Sequence, residues 1–287
     1  MSRLAYVNGR FVRQAEAGVS IEDRGYQLGD GIYEVWAVID GKLADAEGHF
    51  ARLARSLGEL RIPMPMSRAA LTVALRETVR RNKVRYGIVY LQVTRGVARR
   101  DHAFPSEPIA PTVVITARSI DGAAAEATAA KGGAVITVPE SRWGRCDIKT
   151  IDLLPNVLAK QAAKEAGALE AWFVDSQGLV TEGASSNAWI VDAEGVLRTR
   201  DIGANILRGV TRYTVLDVAR EVGYTVEERP FTVAEAKAAR EAFITGAGSL
   251  VMPITRIDDA VIANGHPGAM ATALRAAYVE RASEKAV

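Results

Sequence analysis

Between Glu170 and Thr199 the chain runs E-A-W-F-V-D, G-L-V-T-E, N-A-W-I-V-D and G-V-L-R-T, four short apolar segments separated by Gln177-Gly178, Gly183 to Ser186 and Glu194-Gly195. Turn-forming residues at such close intervals predict an antiparallel meander. A helix is expected upstream from near Leu153, with Leu153, Leu154, Val157, Leu158 and Ala162 on one face and Pro155 in its first turn, where the missing N–H does no harm. Another is expected downstream from about Gly209, carrying Val215, Ala219 and Val222 on one face.

At 287 residues and 30.8 kDa, with 48% hydrophobic and 24% charged residues, the chain has the length and composition of two ordinary globular domains. Its 36 basic and 34 acidic residues are spread along the sequence and leave a net charge of +2, so no basic block points to a nucleic-acid partner. The single cysteine, Cys146, excludes an intrachain disulfide and a cysteine-cluster metal site and favours a reducing compartment. The start M-S-R-L-A-Y-V-N-G-R-F lacks a leader pattern, and no run of about 18 apolar residues suggests a membrane span. A cytoplasmic protein without a metal or membrane partner is expected.

From the beginning, Leu4 to Val12 predicts a hairpin around Asn8-Gly9. A strand from Ile32 to Ile39 sets Ile32, Glu34, Trp36 and Val38 on one face and Tyr33, Val35 and Ala37 on the other. Tyr33 is either a pocket hydrogen-bonding group or a core residue with a wet tip. In H-F-A-R-L-A-R-S-L-G-E-L, Phe50, Leu53, Leu57 and Leu60 form a helical stripe. Arg52 lies off that stripe, either solvated or an anion clamp. Ser67 is expected to cap a helix to about Arg81, before the strand G-I-V-Y-L-Q-V-T-R-G. The loop V-A-R-R-D-H-A-F-P then holds Arg99, Arg100 and His102, which either form solvated surface or present N–H donors and an imidazole to one carboxylate. After T-V-V-I-T-A the hydrophobic pattern lapses. These features predict an α/β (α+β) chain with a small N-terminal α/β domain over 1–118, a linker over 119–131, and a larger C-terminal domain over 132–287 containing the meander.

The groups suited to chemistry lie mostly in that second part. Lys149 closes S-R-W-G-R-C-D-I-K-T just before a helix, and Glu182 stands at the tip of a strand before a glycine, so both sit beside turns and could face one ligand. A glycine and threonine at a helix start, Gly209 and Thr211, and the loop G-A-G-S after the strand E-A-F-I-T, suggest backbone amides that cradle a phosphate. Cys146 has no neighbouring base and reads as a packed residue.

Taken together, E-D-R-G-Y-Q-L-G-D-G-I-Y-E-V, H-F-A-R-L, V-T-R-G-V-A-R-R-D-H-A-F-P, R-W-G-R-C-D-I-K-T-I-D-L-L-P-N-V-L-A-K-Q-A-A, V-T-E-G-A-S-S-N, I-L-R-G-V-T-R and F-I-T-G-A-G-S closely resemble the class IV, or fold-type IV, pyridoxal-phosphate aminotransferases, within them the D-amino acid transaminases. The resemblance covers nearly the whole chain.

It implies pyridoxal 5'-phosphate as cofactor, with Lys149 as its Schiff-base lysine and proton carrier and Glu182 as partner of the ring nitrogen. Arg52, the N–H groups of Val210 and Thr211, the Thr211 hydroxyl and the loop at Gly246 and Ala247 would hold the phosphate. At Gly246 and Ala247 the sequence departs from the hydroxyl-bearing pattern, which leaves backbone contacts only. Leu207 would lie near the substrate side chain. Tyr33, Arg100 and His102 would trap the substrate carboxylate, the latter two from the partner subunit of a homodimer whose active site lies at the interface. The implied reaction is ping-pong transfer of an amino group from a D-amino acid such as D-alanine to a 2-oxo acid such as 2-oxoglutarate. Aminodeoxychorismate lyase, branched-chain L-aminotransferase and (R)-amine transaminase activities stand as alternatives on the same fold. A phosphate-binding protein without catalysis is the contrasting reading.

Overall fold

A computed structural model describes residues 3–287, and the chain divides into two compact units. The first contains the chain to Asp121 together with Ile148–Asp152 and Lys285–Val287. Its sheet is built from β1 (Leu4–Val7), β2 (Arg10–Arg13), β3 (Gly31–Ile39), β4 (Lys42–Leu43), β5 (Gly87–Thr94) and β6 (Thr112–Ser119), in the order β2-β1-β6-β5-β3-β4 with every neighbouring pair antiparallel. Asn8, at φ 45°, and Gly9, at φ 92°, close the β1–β2 hairpin, the left-handed conformations that an Asn-Gly pair adopts most readily.

Three helices belong to this unit: α1 (Arg24–Leu28), α2 (Ala46–Glu59) and α3 (Arg68–Arg81). The Ser67 side chain accepts from the Ala70 N–H and starts α3. Phe50, Leu53 and Leu57 of α2 and Leu71, Leu75 and Val79 of α3 join Trp36, Val89, Leu91 and Ile115 of the sheet in one core. Full burial of side chains of this size stabilises by roughly 1.5–3 kcal/mol each. Alternation along β3 is strict on one side, since Ile32, Glu34, Trp36 and Val38 are all fully buried. That face therefore carries a carboxylate into an apolar core.

The segment expected to open the second domain belongs here in part. Ile148 is buried in the first unit's core. The Tyr33 N–H donates to the Lys149 carbonyl at 3.0 Å and the Ile151 N–H to that of Gly31 at 3.1 Å, so residues 148–152 lie along β3 like a short added strand. The C-terminus returns to the same unit, where the Leu43 and Val287 N–H groups exchange hydrogen bonds with each other's carbonyls at 2.8 and 3.1 Å.

The second unit comprises Gly122–Asp147 and Leu153–Glu284. It opens with α4 (Gly122–Lys131), so the stretch expected to be a linker is largely helical. Seven of its ten residues are Ala or Lys, strong helix formers that leave no apolar stripe to read. Its nine strands are β7 (Gly133–Pro139), β8 (Glu170–Val174), β9 (Val180–Gly183), β10 (Asn187–Val191), β11 (Leu197–Thr199), β12 (Val226–Glu228), β13 (Glu241–Gly246), β14 (Leu250–Ile257) and β15 (Ala260–Val261). They follow the order β12-β11-β10-β13-β14-β7-β8-β9, with β15 beside β14, and the pairs β11–β12, β14–β7 and β7–β8 are parallel. Its other helices are α5 (Leu154–Glu165), α6 (Val210–Glu221), α7 (Val233–Lys237) and α8 (Ala269–Glu284).

The expected meander is corrected. β8 pairs with β9 and β10 with β11, but β10 takes β13 as its other neighbour, leaving β9 at one end of the order. In the turn between β9 and β10 the Gly183 N–H closes on the Ser186 carbonyl at 2.7 Å. Buried Glu170 accepts there from the Ser185 N–H at 3.1 Å and from the Ser185 and Ser186 hydroxyls at 2.6 and 3.0 Å.

The apolar face read along α5 is not the one this unit buries. Ala159 and Ala163 pack inward, while Leu154, Val157 and Leu158 are 66%, 57% and 65% exposed. Periodicity identifies an apolar face but not what covers it.

Candidate active site

In the first unit, Lys149 is half-buried and its Nζ lies 4.0 Å from the centre of the Tyr33 ring, a cation–π contact. Tyr33 stacks on Tyr90 with ring centres 5.6 Å apart, and the Tyr90 hydroxyl donates to Gln92 Oε1 at 2.8 Å. Burial, with Tyr33 adding to it, pushes the Tyr90 phenol well above its ordinary range, so it is a neutral donor at any physiological pH. β3 thus presents Tyr33 beside Lys149 on one face and buries Glu34 on the other.

Arg52 is only 9% exposed, which excludes the solvated reading. Its Nε and Nη2 donate to the two oxygens of Glu34 at 2.7 and 2.9 Å. His49 Nδ1 lies 2.8 Å from the same carboxylate. Burial alone would raise the Glu34 pKa, but the Arg52 charge and the hydrogen bonds from Arg52 and His49 outweigh it and hold the group far below the usual carboxylate range. For His49, burial outweighs the pull of Glu34 and lowers its pKa. A neutral imidazole with its proton on Nδ1 satisfies Glu34 as a donor. The fork to Glu34 fixes the Arg52 guanidinium and offsets its charge, a partner that the sequence did not reveal.

Arg100 and His102 are exposed on the loop after β5. Their side chains extend from a segment whose backbone is pinned, because Arg24 donates to the carbonyls of Asp101 and His102 at 2.6 and 3.4 Å.

In the second unit, Glu182 is 4% exposed at the end of β9. Its Oε2 accepts from Asn187 Nδ2 at 3.0 Å and its Oε1 from the Leu207 N–H at 3.0 Å. Arg142 Nη1 also donates to Oε1. Arg142 in turn meets Glu140 through Nε at 2.9 Å and Nη2 at 2.7 Å, and its guanidinium lies over the Phe173 ring. Burial works against its charge, yet Glu140 and Glu182 more than compensate and raise its pKa. An always-charged donor beside Glu182 favours the carboxylate form of that acid. Neither Arg142 nor Glu170 was singled out from the sequence, although S-R-W-G-R places the former seven residues before Lys149.

Asn187 also ties down the start of α6. Its Nδ2 donates to the Leu207 carbonyl at 3.0 Å, and a Cβ on Gly209 would fall 1.9 Å from its Oδ1. Glycine is therefore required there by close approach. Gly209 supplies no side chain to cap α6, so the N–H groups of the first turn, at Val210 and Thr211, remain for an anion. The β10–β13 register sets Asn187 opposite Thr245, which brings Gly246 next to the Glu182–Asn187 turn. A Cβ on Gly246 would lie 3.2 Å from the Ser185 carbonyl and from Ser249 Oγ. Glu182, Leu207, Val210, Thr211, Gly246 and Ala247 thus come from three connections at one end of the second sheet.

Cys146 donates to the Trp143 carbonyl at 3.1 Å. Burial, partly opposed by Arg142, pushes its thiol up to about 11. At pH 8 its thiolate fraction should be roughly two orders of magnitude below that of a free cysteine. Iodoacetamide labelling of the native protein is expected to be slower than that of the unfolded chain by a similar factor, and equal rates would contradict this.

The first unit thus holds an amine beside an aromatic ring, and the second a carboxylate held by a guanidinium and a helix start with open amides. The profile of the family described as amino-transferase class IV matches residues 31–257, and the chain belongs to that family. It is thus an aminotransferase. Among curated proteins it is 42% identical to a D-alanine aminotransferase of Bacillus licheniformis over 261 residues, 91% of this chain and 90% of that one. It is 38% identical to one of Staphylococcus epidermidis, covering 95% of each chain. Among solved structures, a branched-chain amino acid aminotransferase of T.th. with pyridoxamine 5'-phosphate superimposes with a TM-score of 0.86 at 28% identity, covering 99% of this chain and 96% of that one. The fold is that of the fold-type IV aminotransferases. Among the described residues no helix is long and apolar enough to cross a membrane.

Proposed function

We propose that this enzyme transfers the amino group of a D-amino acid such as D-alanine to a 2-oxo acid such as 2-oxoglutarate, with pyridoxal 5'-phosphate as cofactor. The observation that carries this reading is 42% identity to a D-alanine aminotransferase over about nine-tenths of both chains. The residues fit the cofactor: an amine at Lys149, a charge-paired acid at Glu182, and a helix start at Gly209 whose first-turn amides no side chain caps.

When bound, the cofactor supplies an electron sink for the pair released at the substrate Cα. Lys149 would hold it through its amine and, once freed by the incoming amino acid, would take up and return the proton released at the substrate Cα. Glu182 would accept the ring N–H and favour a positive nitrogen there, with Arg142 donating to the same carboxylate. The first-turn amides of α6, the Thr211 hydroxyl and the backbone at Gly246 and Ala247 take the phosphate. Arg52 contributes there as a fixed donor, its charge offset by Glu34. Leu207 borders the substrate side chain.

Tyr33, Arg100 and His102 hold the substrate carboxylate, the latter two supplied by a second subunit. Because Cα–H must face Lys149, the side on which the carboxylate is anchored selects the enantiomer. The exposed stripe of Leu154, Val157 and Leu158 supports a homodimer that covers it. A cytoplasmic setting suits the single reduced Cys146.

A branched-chain L-aminotransferase is the second reading, favoured by the structure of such an enzyme at 28% identity. The test offers D-alanine, L-alanine and L-leucine separately to the holoenzyme with 2-oxoglutarate. Turnover of D-alanine at least about 100-fold above either L-amino acid is expected. Preference for L-leucine would replace the first reading with the second.

A further inference from the structure

Residues 99–104, which bear Arg100 and His102, are exposed throughout and place no side chain in an apolar core. The shape of this loop is set instead by buried charge in the first unit. Arg24, 2% exposed, directs Nε to Asp30 Oδ2 at 2.8 Å and turns its other two nitrogens to the carbonyls of Asp101 and His102. Arg95 holds the same carboxylate from the other side, at 2.7 and 3.0 Å, and binds the carbonyls of Leu60 and Arg61. Phe104, where the loop ends, lies against the Arg95 guanidinium at 3.6 Å from ring centre to Cζ. At the loop's root the Arg24 N–H donates to the Gly96 carbonyl at 2.9 Å and the Ala98 N–H to that of Glu22 at 3.2 Å.

The division of labour between the two arginines matters. Arg95 reaches both oxygens of Asp30, so the carboxylate keeps a partner if Arg24 is lost. Arg24 alone reaches the crest of the loop, on the carbonyl of the residue after Arg100 and on that of His102 itself. A planar fork reaching two successive carbonyls fixes the peptide between them, and so the direction in which the neighbouring side chains leave the backbone.

We infer that Arg24 is a positioning residue for substrate recognition: held by Asp30, it sets the orientation in which Arg100 and His102 meet a substrate carboxylate. The inference rests on the reading of those two residues as the carboxylate trap. Arg24 touches no substrate, and its effect falls on how the carboxylate is gripped.

The test compares the holoenzymes of Arg24→Gln, Arg24→Lys and Arg100→Ala with the unaltered protein, by amide hydrogen exchange over residues 99–104 and by KM and kcat for D-alanine. In Arg24→Gln the loop amides are expected to exchange about tenfold faster with the rest of the protein unchanged. KM should rise by about 10- to 100-fold and kcat fall less than about threefold. Arg24→Lys, which keeps a charge beside Asp30 but replaces the fork by a single point donor, should restore part of both effects. It also carries the test if the glutamine variant does not fold. Unchanged loop exchange, or faster exchange with KM unaltered while Arg100→Ala raises it, overturns the inference. If Arg100→Ala itself leaves KM unaltered, the trap reading has failed, and faster exchange in Arg24→Gln would then mark Arg24 as a loop anchor without a part in recognition.

Discussion

Lys149→Ala is expected to slow amino transfer from D-alanine to 2-oxoglutarate by about 10⁴-fold or more, because it removes both the cofactor's attachment and the base that moves the Cα proton. The fold should barely register the change. What the side chain contributes to stability is its contact with the Tyr33 ring at 4.0 Å, worth roughly 0.5–1 kcal/mol. The backbone bonds of Lys149, to Tyr33 at 3.0 Å and Ser56 Oγ at 3.3 Å, do not involve it. For a chain of this size such a loss lowers the midpoint of thermal unfolding by a few degrees, about 2–4 °C per kcal/mol. Single-turnover kinetics and a circular-dichroism melt on the same sample separate the two effects. A variant that still transfers amino groups at an undiminished rate, or that loses activity only by unfolding, would refute the role given to this lysine.

The second large effect concerns stability. Glu34→Gln keeps the shape of the side chain but removes the carboxylate charge that faces buried Arg52, and is expected to destabilise the cofactor-free protein by about 3–5 kcal/mol. Combining it with Arg52→Met, which removes the orphaned charge, should recover at least about 1 kcal/mol of that loss rather than add to it. Additive losses in a urea-denaturation cycle would mean that the pair contributes nothing jointly.

The same triad makes stability depend on acid in two stages. Both folded pKa values are depressed, so each group contributes stability that is present above its unfolded pKa and lost as pH falls. Loss begins below about pH 6.5, where an unfolded His49 takes up a proton that the folded one refuses, and steepens below about pH 4.3 as Glu34 is drawn to protonate. His49→Gln should remove the first stage and leave the second.

The residues show where sequence reading reaches its limit. The two faces of β3 and the cap at Ser67 follow from local rules of alternation and hydrogen bonding, and are visible in the order of the letters. Arg52 is not, because a helical stripe ranks side chains by polarity and cannot report that a carboxylate on β3 waits opposite. The β9–β10 turn reads as a hairpin until Glu170, distant in sequence, gathers its serines. For α4 the reverse holds: local propensity was high and the absence of an apolar pattern concealed it. Lys149, Glu182 and the glycine loops were conspicuous as residue types beside turns, whereas Arg24 and Arg142, which hold other groups in place, carry no local signal.

The return of residues 148–152 and 285–287 to the first unit bears on how this protein is made. A nascent chain emerging from the ribosome N-terminus first has all six strands of the first sheet by Ser119, yet lacks Ile148 for its core and the peptide that lies along β3. The partner of Leu43 is Val287, at the far end of the sequence. A gene fragment ending at Asp121 would therefore encode this unit without Ile148 in its core and without the hydrogen-bonding partner of Leu43.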